Sequence, residues 1–415
     1  MIKTNNKEPW QKALDVLVQL ETAQKKLGTY LENAEKGIAS YSTFRGYVLN
    51  VVKHRRCLEY FLKSNAKKTP KTKLKCFLLL VVGQMWQKYL DNNLSESQMA
   101  PLANGWMDRA KEAFNSNECK FINAILRKVF PFFASSENLP LTIRYNTPTF
   151  LIERYQHYYG EAAVHAYLRW NESFSTVYIR TNEPLNNLRP TVWNNFYTLT
   201  EDVCWQDVLS LLNTGKAYIQ DPMTRIPIDH LNIQPGHNVL DLCSAPGGKT
   251  VQIAQKLEGT GCIVSVDLPE HMKRLKLNTR FYPNVHLIGK NVLDLQTDDL
   301  KNRQLPVMFD RVLIDVPCSN TGVVRRKPDV LARLTPKDFA FLPKLQLELL
   351  NKACLFVNKG GLLVYSTCSI DPEENEGVIN TFLKQHKNFS LQTSHVSLPW
   401  IENHDGGGSF CLRNL

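Results

Sequence analysis

Asn238-Val239-Leu240-Asp241-Leu242-Cys243-Ser244-Ala245-Pro246-Gly247-Gly248-Lys249-Thr250 is the stretch that decides the fold. It reads as a buried strand, a tight glycine turn and the start of a helix. Glycines let the backbone approach a ligand closely, and a new helix directs its first N–H groups toward it. A nucleotide-like cofactor is the expected occupant. A phosphate-binding P-loop competes, because Gly248-Lys249-Thr250 matches its end, but that motif needs a glycine where Cys243 stands. A dehydrogenase turn would be G-x-G-x-x-G, which this is not, and nothing downstream resembles a hydride-transfer site. A turn with no ligand at all is the plainest rival.

Working outward, apolar runs alternate with helical patterns. Strands are expected at Asn238–Cys243, Cys262–Asp267, Val285–Asn291, Phe309–Val316 and Gly361–Thr367, with a last one at Ser409–Leu415. Helices are expected near 248–257, 270–280, 337–357 and 374–386. Such alternation implies a mostly parallel sheet with helices on both faces. Asp267 ends the second strand 19 residues beyond Gly248, the spacing at which a carboxylate reaches a nucleoside's ribose. Asp294, just after the third strand, is placed to approach the base, unless it is only a cap or a solvated loop acid.

Upstream the pattern changes. Residues 1–137 read as helical, with apolar residues at three- and four-residue steps and the run Phe77–Trp86 as a core helix too short to span a bilayer. The segment 138–216 is mixed, with a helix near 148–170 and a strand at Thr176–Arg180. Residues 217–415 form the α/β region.

The chain carries a net charge of +11, unevenly placed. Residues 51–80 hold nine Lys or Arg against one acid, Glu59, and Arg325-Arg326-Lys327 form a second cluster. A polyanionic partner is expected. From the polar first residues neither a signal peptide nor membrane contact is expected. None of the ten cysteines sits in a CxxC, so neither a disulfide framework nor a structural metal site is expected, and a reducing cytoplasmic setting fits.

Two cysteines stand apart. Cys318 closes Asp315-Val316-Pro317-Cys318, and Cys368 closes Tyr365-Ser366-Thr367-Cys368. Each follows an apolar strand, at the sheet face where chemistry is usually done. Two thiols converging on one cofactor site suggest covalent catalysis, though spacing alone does not say which attacks. The other eight (Cys57, Cys76, Cys119, Cys204, Cys243, Cys262, Cys354, Cys411) read as mostly structural, with Cys243 lining the turn.

Asp241–Thr250, the run from Asp315 to Gly322 with Arg325-Arg326-Lys327-Pro328-Asp329, and Tyr365–Ser369 with Glu374-Asn375-Glu376 together resemble the Sun/RsmB family of RNA cytosine-5 methyltransferases. Gln220-Asp221-Pro222 and Thr176–Asn182 extend the likeness over about 140–415. Asn123-Ala124-Ile125-Leu126-Arg127 and the helical front end are similar to the NusB-like domain of the bacterial RsmB branch. The run Asp405-Gly406-Gly407-Gly408-Ser409-Phe410 departs from the aromatic pair usual after the family's Asp-Gly, which bears on the packing of the last strand.

The resemblance implies a Rossmann-like S-adenosylmethionine-dependent domain behind an all-α NusB-like domain. It gives Cys243, Ser244, Ala245, Pro246, Gly247, Gly248 and Lys249 to the methionine end of the cofactor, Asp267 to its ribose and Asp294 to its adenine, with Asp315 also at the cofactor. It makes Cys368 the nucleophile and Cys318 the residue that assists release. Asp315 is then the acid near ring nitrogen 3 of the cytosine. Arg180, Arg325, Arg326 and Lys327 would contact RNA. The implied substrate is small-subunit (16S) ribosomal RNA and the enzyme a monomer. A transfer-RNA methyltransferase and a non-catalytic ribosome assembly factor are the alternatives, the latter expected to have lost a motif cysteine or the glycine turn.

Overall fold

The computed structural model describes residues 7–22, 27–34, 41–183, 188–200 and 205–415; Cys204 lies outside them. The chain divides into two compact units, Met1–Ser173 with Leu331–Arg333, and Phe174–Val330 with Leu334–Leu415.

The first unit is helical. The helix Thr72–Asn92 buries Phe77, Leu78, Leu80, Val81 and Trp86 on all sides, as a central helix must. Pro9–Thr22 and Tyr41–Lys53 pack on it through their apolar faces. The basic stretch is split: Lys63 lies in the last turn of the helix Arg55–Asn65, Lys67, Lys68 and Lys71 lie in the connector with Pro70, and Lys73 and Lys75 begin the next helix. Reciprocal caps start two more helices, Ser95 with Gln98 and Asn115 with Glu118. Arg144 stacks over Trp86 at 4.7 Å and pairs with Glu172. The expected helix near 148–170 is two helices, Thr149–Tyr159 and Glu161–Glu172, parted at Gly160 with φ +83°. These fall within the first unit, whereas the sequence reading set them in the mixed segment.

The second unit begins with a small antiparallel sheet: β1 (Tyr178–Thr181), β2 (Leu188–Pro190), β3 (Phe196–Leu199) and β4 (Ala217–Ile219), in the order β2-β3-β1-β4. The large sheet follows, with β5 (Asn238–Leu242), β6 (Cys262–Asp267), β7 (Val285–Gly289), β8 (Phe309–Asp315), β9 (Val357–Thr367), β10 (Phe389–Ser397) and β11 (Gly407–Asn414). Its order is β10-β11-β9-β8-β5-β6-β7. From β5 to β9 neighbouring strands are parallel; β10 and β11 are antiparallel. The fold is therefore the expected Rossmann-like α/β arrangement with a helical N-terminal region. Leu240, Val264, Val312 and Leu363 face one apolar layer and Val239, Ile263, Leu313 and Val364 the other, so both faces are covered.

The chain runs outward from β5 to β7, then crosses to β8 on the other side of β5. That reversal opens a crevice beyond the carboxyl ends of β5 and β8, where α/β sheets bind ligands. The glycine run Gly406–Gly408 enters β11 beside β9. There Gly406 N donates to Gly322 O at 2.8 Å, and a Cβ on Gly322 would stand 2.3 Å from Gly406 O. Backbone cannot yield as a flexible side chain can. Gly322→Ala should therefore cost about 2 kcal/mol or more in a denaturant titration. Gly46→Ala, in a helix with nothing within 4 Å of the new methyl, should instead stabilise by roughly 0.5–1 kcal/mol.

Candidate active site

The turn after β5 is built by its own backbone and by one acid. Cys243 adopts φ +56° and Gly247 φ +101°, both left-handed. Gly247 N donates to Ser244 O at 2.8 Å. Asp267, buried at the end of β6, accepts from Ala245 N and from Leu268 N, each at 2.7 Å, and meets His271 Nδ1 at 2.6 Å. A Cβ at Gly248 would stand 3.0 Å from Gln220 Nε2, so the helix Gly248–Leu257 starts tight against β4's end. Burial, aided by the charges of Asp267, Asp315 and Asp241, pushes the Cys243 thiol up and keeps it protonated.

A cavity of about 350 Å³ lies against this turn, and Ser244, Ala245, Pro246, Gly248, Lys249 and Asp315 are among its walls. Cys368 also lines it, as do Asp241, Asp221, Asp405, Arg326 and Lys327. Cys243, Gly247, Asp267, Asp294 and Cys318 are outside its lining; Asp294 is exposed on the turn Val292–Asp294 after β7.

The two motif cysteines meet. Asp315 of β8 pairs with Ser366 of β9, and the loops beyond bring Cys318 Sγ to 2.9 Å from Cys368 Sγ, with neither in a disulfide. Cys368 N donates to Cys318 Sγ at 3.3 Å. The pair is asymmetric. The hydrogen bond from Cys318 holds Cys368 below the usual thiol range against its burial, helped by the charges of Lys327 and Lys249. The same bond, with burial and the charges of Cys368 and, less strongly, Glu374, holds Cys318 well above it. The two shifts run in opposite directions, so Cys368 is the more acidic thiol of the pair and Cys318 the less.

Lys249 Nζ pairs with Asp315 Oδ2 at 2.7 Å. Burial works to lower this amine's pKa, yet Asp315, with Cys368 and Asp241, leaves it raised. Asp241 is fully buried, accepts from Thr250 Oγ1 at 2.6 Å through Oδ2, and has no hydrogen-bond partner at Oδ1. Its burial pushes it up to about 7; the Thr250 bond and Lys249 oppose this, and Asp315 and Asp267 add to it.

Of the four cations expected to contact RNA, Arg180 and Arg325 are buried, while Arg326 and Lys327 line the cavity. Arg180 is buried, gives Nε to Gln220 Oε1 at 2.9 Å and pairs with Gln255; burial pulls it down to about 10. Arg325 is buried and donates to Phe174 O. Arg326 bridges two buried acids, at 2.8 Å to Asp221 Oδ2 and 2.8 Å to Asp405 Oδ2. Burial and the Asp221 charge push Asp405 up to about 6 in spite of Arg326. Of the four, Lys327 alone is exposed, with Nζ 3.1 Å from Asn320 Oδ1.

The chain is similar to known proteins in sequence and in fold. The model of the family described as 16S rRNA methyltransferase RsmB/F matches residues 228–407. The "Ribosomal RNA small subunit methyltransferase B" of Citrobacter koseri is 31% identical over 338 residues, 70% of this chain and 72% of that protein. The chain belongs to the RsmB/F family. Within that family, the "Probable ribosomal RNA small subunit methyltransferase B" of Bacillus subtilis (strain 168) is 27% identical over 92% of this chain and 89% of its own length. The match to the Salmonella arizonae member, 37% identical, spans only 46% of each protein. The crystal structure of PH0851 shares the fold, with a TM-score of 0.74 at 22% identity over 98% of this chain and 99% of its own.

This RsmB/F member is an S-adenosylmethionine-dependent RNA methyltransferase. The residues present fit that cofactor. Asp241 Oδ1 is a buried carboxylate oxygen without a donor in a residue on the cavity wall, which suits an ammonium group. The tight turn and the helix start beside it suit a carboxylate. Sequence reasoning placed Asp241 in the motif without a role, because its orphaned oxygen depends on packing.

Asp241 gives the site a pH signature. Its pKa is about 7 folded against 3.8 as the ordinary value, so between these the folded chain binds a proton that the unfolded chain has released. The stability this contributes is full below 3.8 and lost as pH rises through about 7. Asp241→Asn should therefore gain in melting temperature relative to wild type from about pH 4 to about pH 7, and hold that gain above.

Proposed function

We propose that this enzyme methylates carbon 5 of a cytosine in small-subunit ribosomal RNA through a transient bond between Cys368 Sγ and carbon 6. The carrying observation is the sulfur pair at 2.9 Å, with Cys368, the more acidic thiol, and the Lys249–Asp315 pair both lining the cavity. Carbon 5 of cytosine is a poor nucleophile. Addition of the Cys368 thiolate to carbon 6 makes the ring enamine-like and leaves negative charge toward nitrogen 3. Asp315 was expected to serve there as an acid; its ion pair with Lys249 supports the two acting together, with the proton on Lys249. S-adenosylmethionine, when bound, supplies an electrophilic methyl group.

On this reading Asp241 and residues 243–249 hold the methionine end of the cofactor, Asp267 its ribose and Asp294 its adenine. Asp267 already accepts two backbone amides, so it also fixes the turn. Once Cys368 is bonded to carbon, its charge no longer keeps Cys318 protonated. Cys318 can then lose its proton to solvent and, as a thiolate, take the proton from carbon 5. The C5–H electron pair re-forms the C5–C6 double bond and expels Cys368 as a thiolate. The target base must be unpaired or turned out of a helix to reach the wall.

Lys327 is the site's exposed cation for a phosphate. In the helical unit, Lys63 and Lys67 line a cleft of about 280 Å³, and Lys68, Lys71 and Lys73 are exposed nearby. They support the NusB-like reading of that unit as an RNA contact.

Cys318→Ala should accumulate a protein–RNA adduct that survives a denaturing gel. Cys368→Ala should give no adduct and lose at least about a thousandfold in methyl transfer. Full activity in Cys368→Ala would overturn the assignment. Bisulfite sequencing of RNA from cells with and without the gene would locate the cytosine.

A further inference from the structure

Glu374 is fully buried, and one carboxylate there touches the residue following each cysteine. Oε2 accepts from Ser319 N at 3.0 Å and from Gln346 Nε2 at 2.7 Å. Oε1 accepts from Ser369 Oγ at 2.7 Å. Ser319 follows Cys318, and Ser369 follows Cys368. Gln346 Nε2 also reaches Pro317 O at 3.0 Å, and the Ser319 and Ser369 hydroxyls lie 3.0 Å apart. These donors are an amide, a carboxamide and a hydroxyl, none of which neutralises the carboxylate's charge.

We propose that Glu374 is a positioning residue that clamps the two cysteine loops together and, by its charge behind Cys318, keeps the proton of the thiol pair on Cys318 and the reactive charge on Cys368. The charged groups around the pair are arranged to the same end. Lys327 and Lys249 act on Cys368, and Asp315, paired with Lys249, faces it as well. On the other side Glu374 acts on Cys318, with Asp371 beside it in the same hydroxyl network. Tyr365, whose hydroxyl donates to Glu374 O at 2.6 Å, is held neutral by burial. Glu374 meets the main-chain N–H after Cys318 but only a side-chain hydroxyl after Cys368, and its charge acts on Cys318. A carboxylate acting on one thiol of a pair favours the thiolate on the other.

The isosteric amide tests the charge without breaking the clamp. In Glu374→Gln the amide oxygen can still accept from Ser319 N and Gln346 Nε2. Its NH₂ can donate to Ser369 Oγ, which can turn its own proton to Asp371 Oδ2, 3.1 Å away. The inference rests on Cys368 being the attacking thiol, so the test uses neither RNA nor methyl transfer. The full chain is treated with iodoacetamide at neutral pH, and the peptides carrying Cys318 and Cys368 are quantified by mass spectrometry. Wild type should label at Cys368. Glu374→Gln should lower the Cys368-to-Cys318 labelling ratio by about tenfold, through faster labelling of Cys318. Gln346→Met, which cuts the same packing but keeps the charge, should hold the ratio within about twofold of wild type. An unchanged ratio in Glu374→Gln, or an equal fall in Gln346→Met, overturns the proposal. If Glu374→Gln does not fold, Gln346→Lys, whose cation would stand against Glu374 Oε2 and neutralise it, takes its place: a ratio that falls about tenfold supports the charge, and one that holds rejects it.

Discussion

The parallel pairing of β8 with β9 is the constraint on which the rest depends. Asp315 faces Ser366 in that register, and from there Cys318 is three residues on and Cys368 two. A slip of one residue would turn every side chain of one strand to the opposite face and separate the sulfurs. The register is held by the buried apolar layers on both faces, which Val312, Ile314, Leu363 and Tyr365 fill on one side. β5 lies on the other flank of β8, so the same pairing scheme brings the glycine turn and Lys249 to the cysteines. Fold and site are one problem: the switch point that orders the strands also assembles the chemistry.

Charge then distinguishes two thiols that geometry makes neighbours. Lys327 and Lys249 lower the Cys368 thiol and the buried Glu374 raises Cys318, and on the proposed reading this makes Cys368 the attacking sulfur. The Asp221–Arg326–Asp405 bridge joins the region after β4, the loop after Cys318 and the entry to β11. Gly406, Gly407 and Gly408 are the neighbours that let β11 approach: a Cβ on Gly407 would stand 2.3 Å from Thr367 O, and one on Gly408 would stand 2.1 Å from Asn375 Oδ1. The glycine run that departs from the family's usual pattern thus still packs, and β11 pairs with β9 in full register.

Much of this was legible in the sequence because it is local. Strand and helix periods, the glycine turn and the two cysteine motifs each lie within a dozen residues. β6 and the helix 248–257 fall where the pattern put them. β10 was missed because a register shift between Leu391 and Thr393 breaks its alternation. Arg325 and Arg326 read as part of a basic cluster, which looks the same in sequence whether solvated or paired, and Asp221 and Asp405, the acids that Arg326 meets, are distant in sequence. The hydroxyl network under the cysteines joins Ser319 to Ser369, 50 residues apart, so no window of sequence displays it. Asp241's orphaned oxygen exists only once the core closes around it.

The account turns on which sulfur bonds to the base. RNA carrying 5-fluorocytidine at the target position tests this in the unaltered enzyme, since fluorine at carbon 5 cannot leave as a proton and the adduct should persist. Mass spectrometry of the digested complex, formed with S-adenosylmethionine, should find the nucleotide on the peptide containing Cys368 and an unmodified Cys318. A nucleotide on Cys318, or no adduct from an enzyme active on ordinary RNA, would contradict it.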